Sequence, residues 1–380
     1  MKKKILIICQ SESNKEPRVV KQIKALRDHY ELFYAGREPL DQEIQFVSIK
    51  QNGAHNSRRH VPILIKKIIS FFLKTLFAVE KVQDRIFKEL NKINFDLVIA
   101  HHLNSLPLAS RLAASRKSKL IFNAHEYYPL EFSDRDDWVR KTQSVYTDLC
   151  KKYLTKVDGM FSVSEGIAHK YEEEFGVKSE VVLNTRDYCN LKPSITKENK
   201  IKLIHHGAAI PSRHIEQMIE MLTFLDARFT LDLMLIKTNE KYYNFLKQKA
   251  RGNPKIRFLD PVPMEVIPAR INHYDIGLFL LPPVNFNNEH ALPNKLFDFI
   301  QARLAVAIGP SSEMANLVHK YDLGVISENF TPASLVKKLN SLTPEKIMYY
   351  KNQCDKYALE LSSDKTMEVI QDSVEKLLSK

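Results

Sequence analysis

The chain has 380 residues, of which 44% are hydrophobic and 27% charged, which excludes a disordered or fibrous protein and leaves room for two or three domains. Its net charge is +12, but the basic residues form no polybasic block and do not alternate with aromatics. Nucleic-acid binding is therefore set aside, and an anionic substrate or an anionic membrane surface remains.

Four cysteines, Cys9, Cys150, Cys189 and Cys354, include no Cys-x-x-Cys pair, which reads as reduced thiols in a cytoplasmic protein without a zinc site. The opening MKKKILIICQ carries too short an apolar run for a signal peptide and reads as a first strand. No window offers the roughly 18 unbroken apolar residues of a membrane-spanning helix.

Lys4–Cys9 is wholly apolar, as a parallel strand covered on both faces should be. A polar loop, Gln10–Arg18, leads into a helical pattern over Val19–Arg27. Glu31–Ala35, Ile44–Ile49, Phe95–Ala100, Leu120–Asn123, Met160–Val163 and Val181–Leu183 read as further strands. Between them, Val61–Phe77 is dense in Ile, Leu and Phe, with Lys67, Ser70 and Lys74 along one side. That pattern fits a basic amphipathic helix at a membrane interface, or a core-packing helix with a snorkelling edge.

Asn190–Lys200 is polar and reads as a linker. A second strand set follows at Lys202–His205, Leu231–Ile236, Ile256–Leu259, Ile276–Leu281, Ala305–Ile308 and Val325–Ile326. Helical patterns cover Ile215–Leu225, Tyr242–Ala250, Leu296–Ala302 and Pro344–Leu378. Strand–helix alternation predicts two doubly wound α/β domains facing a cleft, with functional loops beyond the carboxyl ends of the strands. The expected division is 1–188, 189–360, and a C-terminal helix at 361–380 returning to the first domain.

Three loops carry candidate chemistry. In Asn287–Ile300 (NNEHALPNKLFDFI) a helix is expected to begin near Leu292–Pro293, with proline at its first position. Lys295 in its first turn is a cation at the positive end of the helix dipole, a conflict that a bound diphosphate would relieve. Asp298, three residues on, is expected on the same face, accepting from ribose hydroxyls. In HHGAAIPSR, Gly207 permits a tight turn, Ser212 is a candidate helix cap, and the Arg213 guanidinium offers a planar fork to phosphate. In NAHEYY, His125 is the candidate for a sugar contact, and the adjacent Glu126 is expected to point the other way. No G-x-G-x-x-G follows Cys9, and neither a P-loop nor an H-E-x-x-H motif occurs, which argues against dinucleotide, P-loop and zincin chemistry. His101 and His102, two neighbours after a strand, do not make a metal set.

Six motifs in chain order resemble those of Glycosyltransferase Family 4, retaining enzymes of the GT-B fold that build bacterial surface polysaccharides. Glu16-Pro17-Arg18-Val19 resembles D-P-R-V; Phe95–His101 resembles the strand ending in H-A-H; Asn123–Glu126 resembles D-A-H-E. Phe161–Gly166 with Val182–Asn184, Gly207–Arg213, and Leu292–Phe299 resemble T-V-S-E-G with V-x-N, G-x-x-x-x-x-R and L-P-N-K-L-F-E-Y.

The resemblance implies a nucleoside-diphosphate sugar as donor and a glycan or lipid-linked acceptor in capsule or O-antigen synthesis, with no cofactor and no metal. It implies that Arg213 and Lys295 bind the diphosphate and that His125 touches the donor sugar. Gly207, Glu289, His290, Ala291, Leu292, Asn294 and Asp298 would complete the donor site, and Arg18, His101 and Glu126 would stand on the acceptor side. The chain departs from the family where His290 and Asp298 replace two glutamates. Two other readings remain, a non-catalytic nucleotide-sugar-binding partner of another transferase and a sugar-nucleotide 2-epimerase.

Overall fold

The computed structural model describes residues 2–11, 16–40, 44–49 and 84–379. The amphipathic stretch Val61–Phe77 lies outside the described residues. The chain forms two compact units, one of Met1–Val182 with Met367–Lys380, the other of Leu183–Thr366.

The first unit is built on a seven-stranded parallel sheet in the order β3-β2-β1-β4-β5-β6-β7. Its strands are β1 (Lys4–Cys9), β2 (Glu31–Gly36), β3 (Gln45–Ser48), β4 (Leu97–His101), β5 (Lys119–Asn123), β6 (Gly159–Ser162) and β7 (Glu180–Val181). Helices α1 (Pro17–Leu26), α2 (Leu106–Arg116), α3 (Ser144–Tyr153) and α4 (Glu165–Phe175) flank the sheet. Successive strand residues point to opposite faces. Ile5, Ile7, Leu97 and Ile99 therefore share one face with Val19, Ile23 and Leu26 of α1. Met367, Ile370 and Val374 of the last helix, Ser363–Leu378, join this core.

The second unit has a six-stranded parallel sheet in the order β10-β9-β8-β11-β12-β13. The strands are β8 (Ile201–Ala208), β9 (Phe229–Ile236), β10 (Ile256–Leu259), β11 (Ile276–Phe279), β12 (Ala305–Ile308) and β13 (Gly324–Ile326). Its helices include α5 (Ile215–Met221), α6 (Glu240–Lys249), α7 (Asn294–Gln301), α8 (Ser312–Tyr321), α9 (Pro332–Asn340) and α10 (Pro344–Tyr357). Leu203, Leu231 and Leu278 pack under α5, α6 and α9 on one face. Ile204, Phe279, Val306 and Ile308 meet α7 and α8 on the other.

Three local expectations are corrected. The helical pattern over Pro344–Leu378 is two helices, broken at residues 358–362. Pro293 is the residue before α7 and not its first helical position; its ψ of 150° is extended, and the helix starts at Asn294. Ser212 lies inside the single turn Pro211–Arg213 and caps nothing; α5 starts at Ile215, after His214 in the left-handed region.

In each sheet the strand order reverses once, between β1 and β4 and between β8 and β11. Ligands of open α/β sheets bind beyond the strand ends at such reversals. Both reversals carry the polar residues singled out above.

Candidate active site

In the second unit, β8 ends in His205, His206 and Gly207. Gly207 has φ of +125°, and the position a Cβ would take there lies 3.2 Å from Arg213 Nη1 and 3.6 Å from Lys295 Nζ. The two cations thus converge on one strand end. Arg213 Nη1 is turned inward by the Ala208 carbonyl, which accepts from it at 3.1 Å. Lys295 sits 3.7 Å over the Phe279 ring.

His205 donates from Nδ1 to the Leu278 carbonyl at 2.9 Å, so the lone pair of Nε2 faces Lys295 Nζ at 3.5 Å. The helix α7 is seated by Phe299, whose ring stands where a side chain on Gly277 would be. Lys295 is buried at 5% exposure. Burial first, then the Arg213 charge, hold its pKa well below the ordinary lysine value. Two neighbouring cations share a strand end, beside a carboxylate that is already engaged, an arrangement whose charge suits an anion.

That engaged carboxylate is Asp298, expected on the face of Lys295 and accepting from ribose hydroxyls. It is fully buried. Arg186 Nε donates to Oδ1 at 2.5 Å and Nη2 to Oδ2 at 3.1 Å. His206 Nε2 stands 3.5 Å from Oδ2 but makes no hydrogen bond. The physical reason is that α7 has no open face. Lys295 through Gln301 are all buried, and Gln301 is tied to Cys189 N at 3.0 Å and to the Ala358 carbonyl at 2.6 Å.

The other residues expected on the donor side lie just before α7 or at its first position. Glu289 ends the turn Phe286–Glu289. His290 Nδ1 stands 3.3 Å from Ser312 Oγ and 3.4 Å from Glu313 Oε1. Ala291 and Leu292 pack with the core of this unit, and the buried Asn294 Oδ1 has no hydrogen-bond partner.

In the first unit, the ends of β4 and β5 bring three histidines together. His101 and His125 are joined Nδ1 to Nε2 at 3.1 Å, and His101 Nε2 meets Gln22 Oε1 at 2.6 Å. With the Gln22 carbonyl facing His101, the imidazoles take one sense. His125 donates to His101, His101 donates to Gln22, and His125 Nδ1 is left as a bare acceptor. Burial and the neighbouring cation Arg18 hold both rings neutral, well below the ordinary histidine pKa.

His102 stacks on His125 at 3.9 Å between ring centroids, meets Tyr128 Oη at 3.1 Å and faces Glu16 Oε1 at 3.5 Å. Its φ of 62° with ψ of 152° is a conformation other residues seldom adopt, a strain of the kind found at functional sites. The Glu126 carboxyl and the His125 ring both feel the Arg18 charge, and burial with the nearby Glu131 pushes Glu126 up to about 7.

His102 also belongs to a group, with Cys9 and Glu16, whose ligand atoms lie within 4.8 Å of one another. Burial pushes the Cys9 thiol up to about 12, away from the thiolate that a soft metal takes. All four cysteines are free thiols. Arg186, His205, His206 and Gln22 were not singled out from the sequence. Each acts through a partner between 79 and 112 residues away, as for Gln22 with His101 and Arg186 with Asp298, or through a strand pairing.

Among the described residues, no helix is long and apolar enough to cross a membrane. The sequence matches no curated protein. Among solved structures, HepE of Anabaena in complex with UDP and glucose superposes with a TM-score of 0.70 at 14% identity, over 98% of this chain and 100% of that one. Sucrose-phosphate synthase from Thermosynechococcus elongatus gives 0.76 at 10% identity over 100% of both chains. The apo lipopolysaccharide outer core galactosyltransferase WaaB gives 0.67 at 13%, over 98% of this chain and 99% of its own. The family model of Glycosyltransferase Family 4 matches residues 19–187. The chain thus has the GT-B fold, and its residues 19–187 are similar to Glycosyltransferase Family 4.

Proposed function

We propose that the chain moves a sugar from a nucleoside diphosphate to a glycan or lipid-linked acceptor, with retention of configuration and without a metal, at the cytoplasmic face of the membrane in surface-polysaccharide synthesis. The observation that carries the reading is the meeting of Arg213 and Lys295 at Gly207. Breaking the sugar–phosphate bond leaves charge on the departing diphosphate. Two fixed cations in a buried site stabilise that charge as it develops, with no reorganisation at the moment of reaction. His125, neutral and with Nδ1 free to accept, is assigned to a hydroxyl of the transferring sugar. HepE, solved with UDP-glucose, makes uridine diphosphate sugars the first donors to try.

A screen of UDP-, GDP- and dTDP-sugars by thermal shift, followed by turnover assays, tests this, because a ligand of the folded state raises the melting temperature. Arg213→Ala and Lys295→Ala are each expected to weaken nucleotide binding by about 2 kcal/mol. His125→Ala is expected to lower turnover at nearly unchanged nucleotide affinity. A chain that binds none of these nucleotides defeats the reading.

A second reading, a nucleotide-sugar-binding partner without activity of its own, is favoured by one observation, the occupation of Asp298 by Arg186. Nucleotide binding without turnover across a panel of acceptors would decide for it.

A further inference from the structure

Arg18 occupies the first turn of α1, at the positive end of a helix with no acidic residue in that turn. It is 9% exposed, and among the described residues its Nε and Nη1 have no hydrogen-bond partner. Among the described residues, no carboxylate forms an ion pair with it. Glu16 stands 3.5 Å from His102 Nε2, and both Glu126 and Glu16 act on Arg18 only at a distance. A buried guanidinium left this way is costly to the folded chain.

Neighbouring groups have the same imbalance. Gln22, four residues on along α1, has its Nε2 without a partner. Asn123, paired in register with His101 across β4 and β5, has its Nδ2 without one. Guanidinium and amide nitrogens are donors only. The strand reversal of the first unit thus holds several buried nitrogen donors without partners among the described residues, around the His101–His125 pair.

The chemistry that removes such a surplus is an oxyanion, which offers several lone pairs to a planar guanidinium fork. We infer that the acceptor bears a phosphate or a carboxylate, and that this group is seated on Arg18. The inference rests on the transferase reading above and adds the chemical class of the acceptor. Among the described residues, neither Glu16 nor Glu126 forms an ion pair with Arg18.

The test uses the full chain saturated with UDP, with glucose 6-phosphate and glucuronate as anionic probes and methyl glucoside as the neutral control, each titrated calorimetrically. At least one anion is expected to bind roughly tenfold tighter than the neutral glucoside, as suits a charged hydrogen bond. The tighter of the two tells phosphate from carboxylate. Arg18→Gln is expected to lose that preference and Arg18→Lys to keep part of it, with UDP affinity unchanged in both. The inference is overturned if the neutral glucoside binds as well as the anions, if Arg18→Gln holds the anion within twofold, or if UDP affinity falls with it.

Stability separates a binding role from a structural one. Without ligand, Arg18→Gln and Arg18→Met are expected to melt at or above the parent temperature; failure of both to fold, or a lower melting temperature in both, overturns the inference. A parent chain that does not bind UDP counts against the donor reading alone, and the anion comparison is then made without nucleotide.

Discussion

Arg213 Nη1 and Lys295 Nζ stand 3.2 and 3.6 Å from a single point, the place where Gly207 lacks a Cβ. Gly207→Ala puts a methyl group there and forces a side-chain-bearing residue to φ of +125°. The strain alone is expected to cost about 1–3 kcal/mol of stability by urea unfolding. Nucleotide affinity is expected to fall further than stability explains, since the methyl group displaces the Arg213 guanidinium. Unchanged affinity in a folded Gly207→Ala chain would show that the two cations do not serve one ligand there.

Nucleotide binding is expected to take up a proton. Burial and Arg213 lower the Lys295 pKa in the free chain, and a diphosphate beside it favours the charged form again. Affinity therefore falls as pH rises between the free and bound values. The stability of the free chain runs the other way, rising with pH toward the ordinary lysine value, because the unfolded state binds the extra proton. Calorimetry in two buffers of different ionisation heat measures the uptake. Lys295→Arg, charged throughout, is expected to abolish the uptake while keeping part of the affinity.

Arg186 and Asp298 form a buried two-point pair. Arg186→Ala leaves a carboxylate at 0% exposure without its cation and is expected to cost about 3–5 kcal/mol. The double change Arg186→Met with Asp298→Asn is expected to recover most of that loss, because no uncompensated charge remains. Urea midpoints at pH 7 compare the three chains; equal losses in all would mean that shape, not charge, matters at this position.

Glu126 ties stability to pH. Its folded value of about 7 lies above the ordinary 4.5, from burial and from Glu131, with Arg18 pulling the other way. Below 4.5 the carboxyl is protonated folded or unfolded. Between 4.5 and 7 only the folded state keeps the proton, so this contribution to stability is lost as pH rises through that window. Glu126→Gln is expected to match the parent at pH 4 and to exceed it at pH 8 by up to about 3 kcal/mol. Melting curves at the two pH values decide it.

The strands were readable because each is an apolar run bounded by polar residues; β1, β10 and β12 fall on the expected residues, Lys4–Cys9, Ile256–Leu259 and Ala305–Ile308. Lys295 and Arg213 stood out as cations close to helix starts. The face of α7 was misread because periodicity within a helix does not say what covers it. Here the cover comes from Arg186 and Cys189 on one side of the sequence and from residues 358–361 on the other. The His125–His101–Gln22 chain was hidden for a related reason. It needs β1 and β4 as neighbours, a pairing that skips two strands of the chain order.

The helix Ser363–Leu378 places Met367, Ile370 and Val374 in the same core as Ile5 and Val19. The apolar face that receives them is made early in synthesis and lacks its cover until translation has passed residue 374. The second unit, Leu183–Thr366, is complete before the first one is. A nascent chain therefore has to carry an open hydrophobic surface on the ribosome while the intervening residues emerge, and the amino-terminal half is the last to reach its final form.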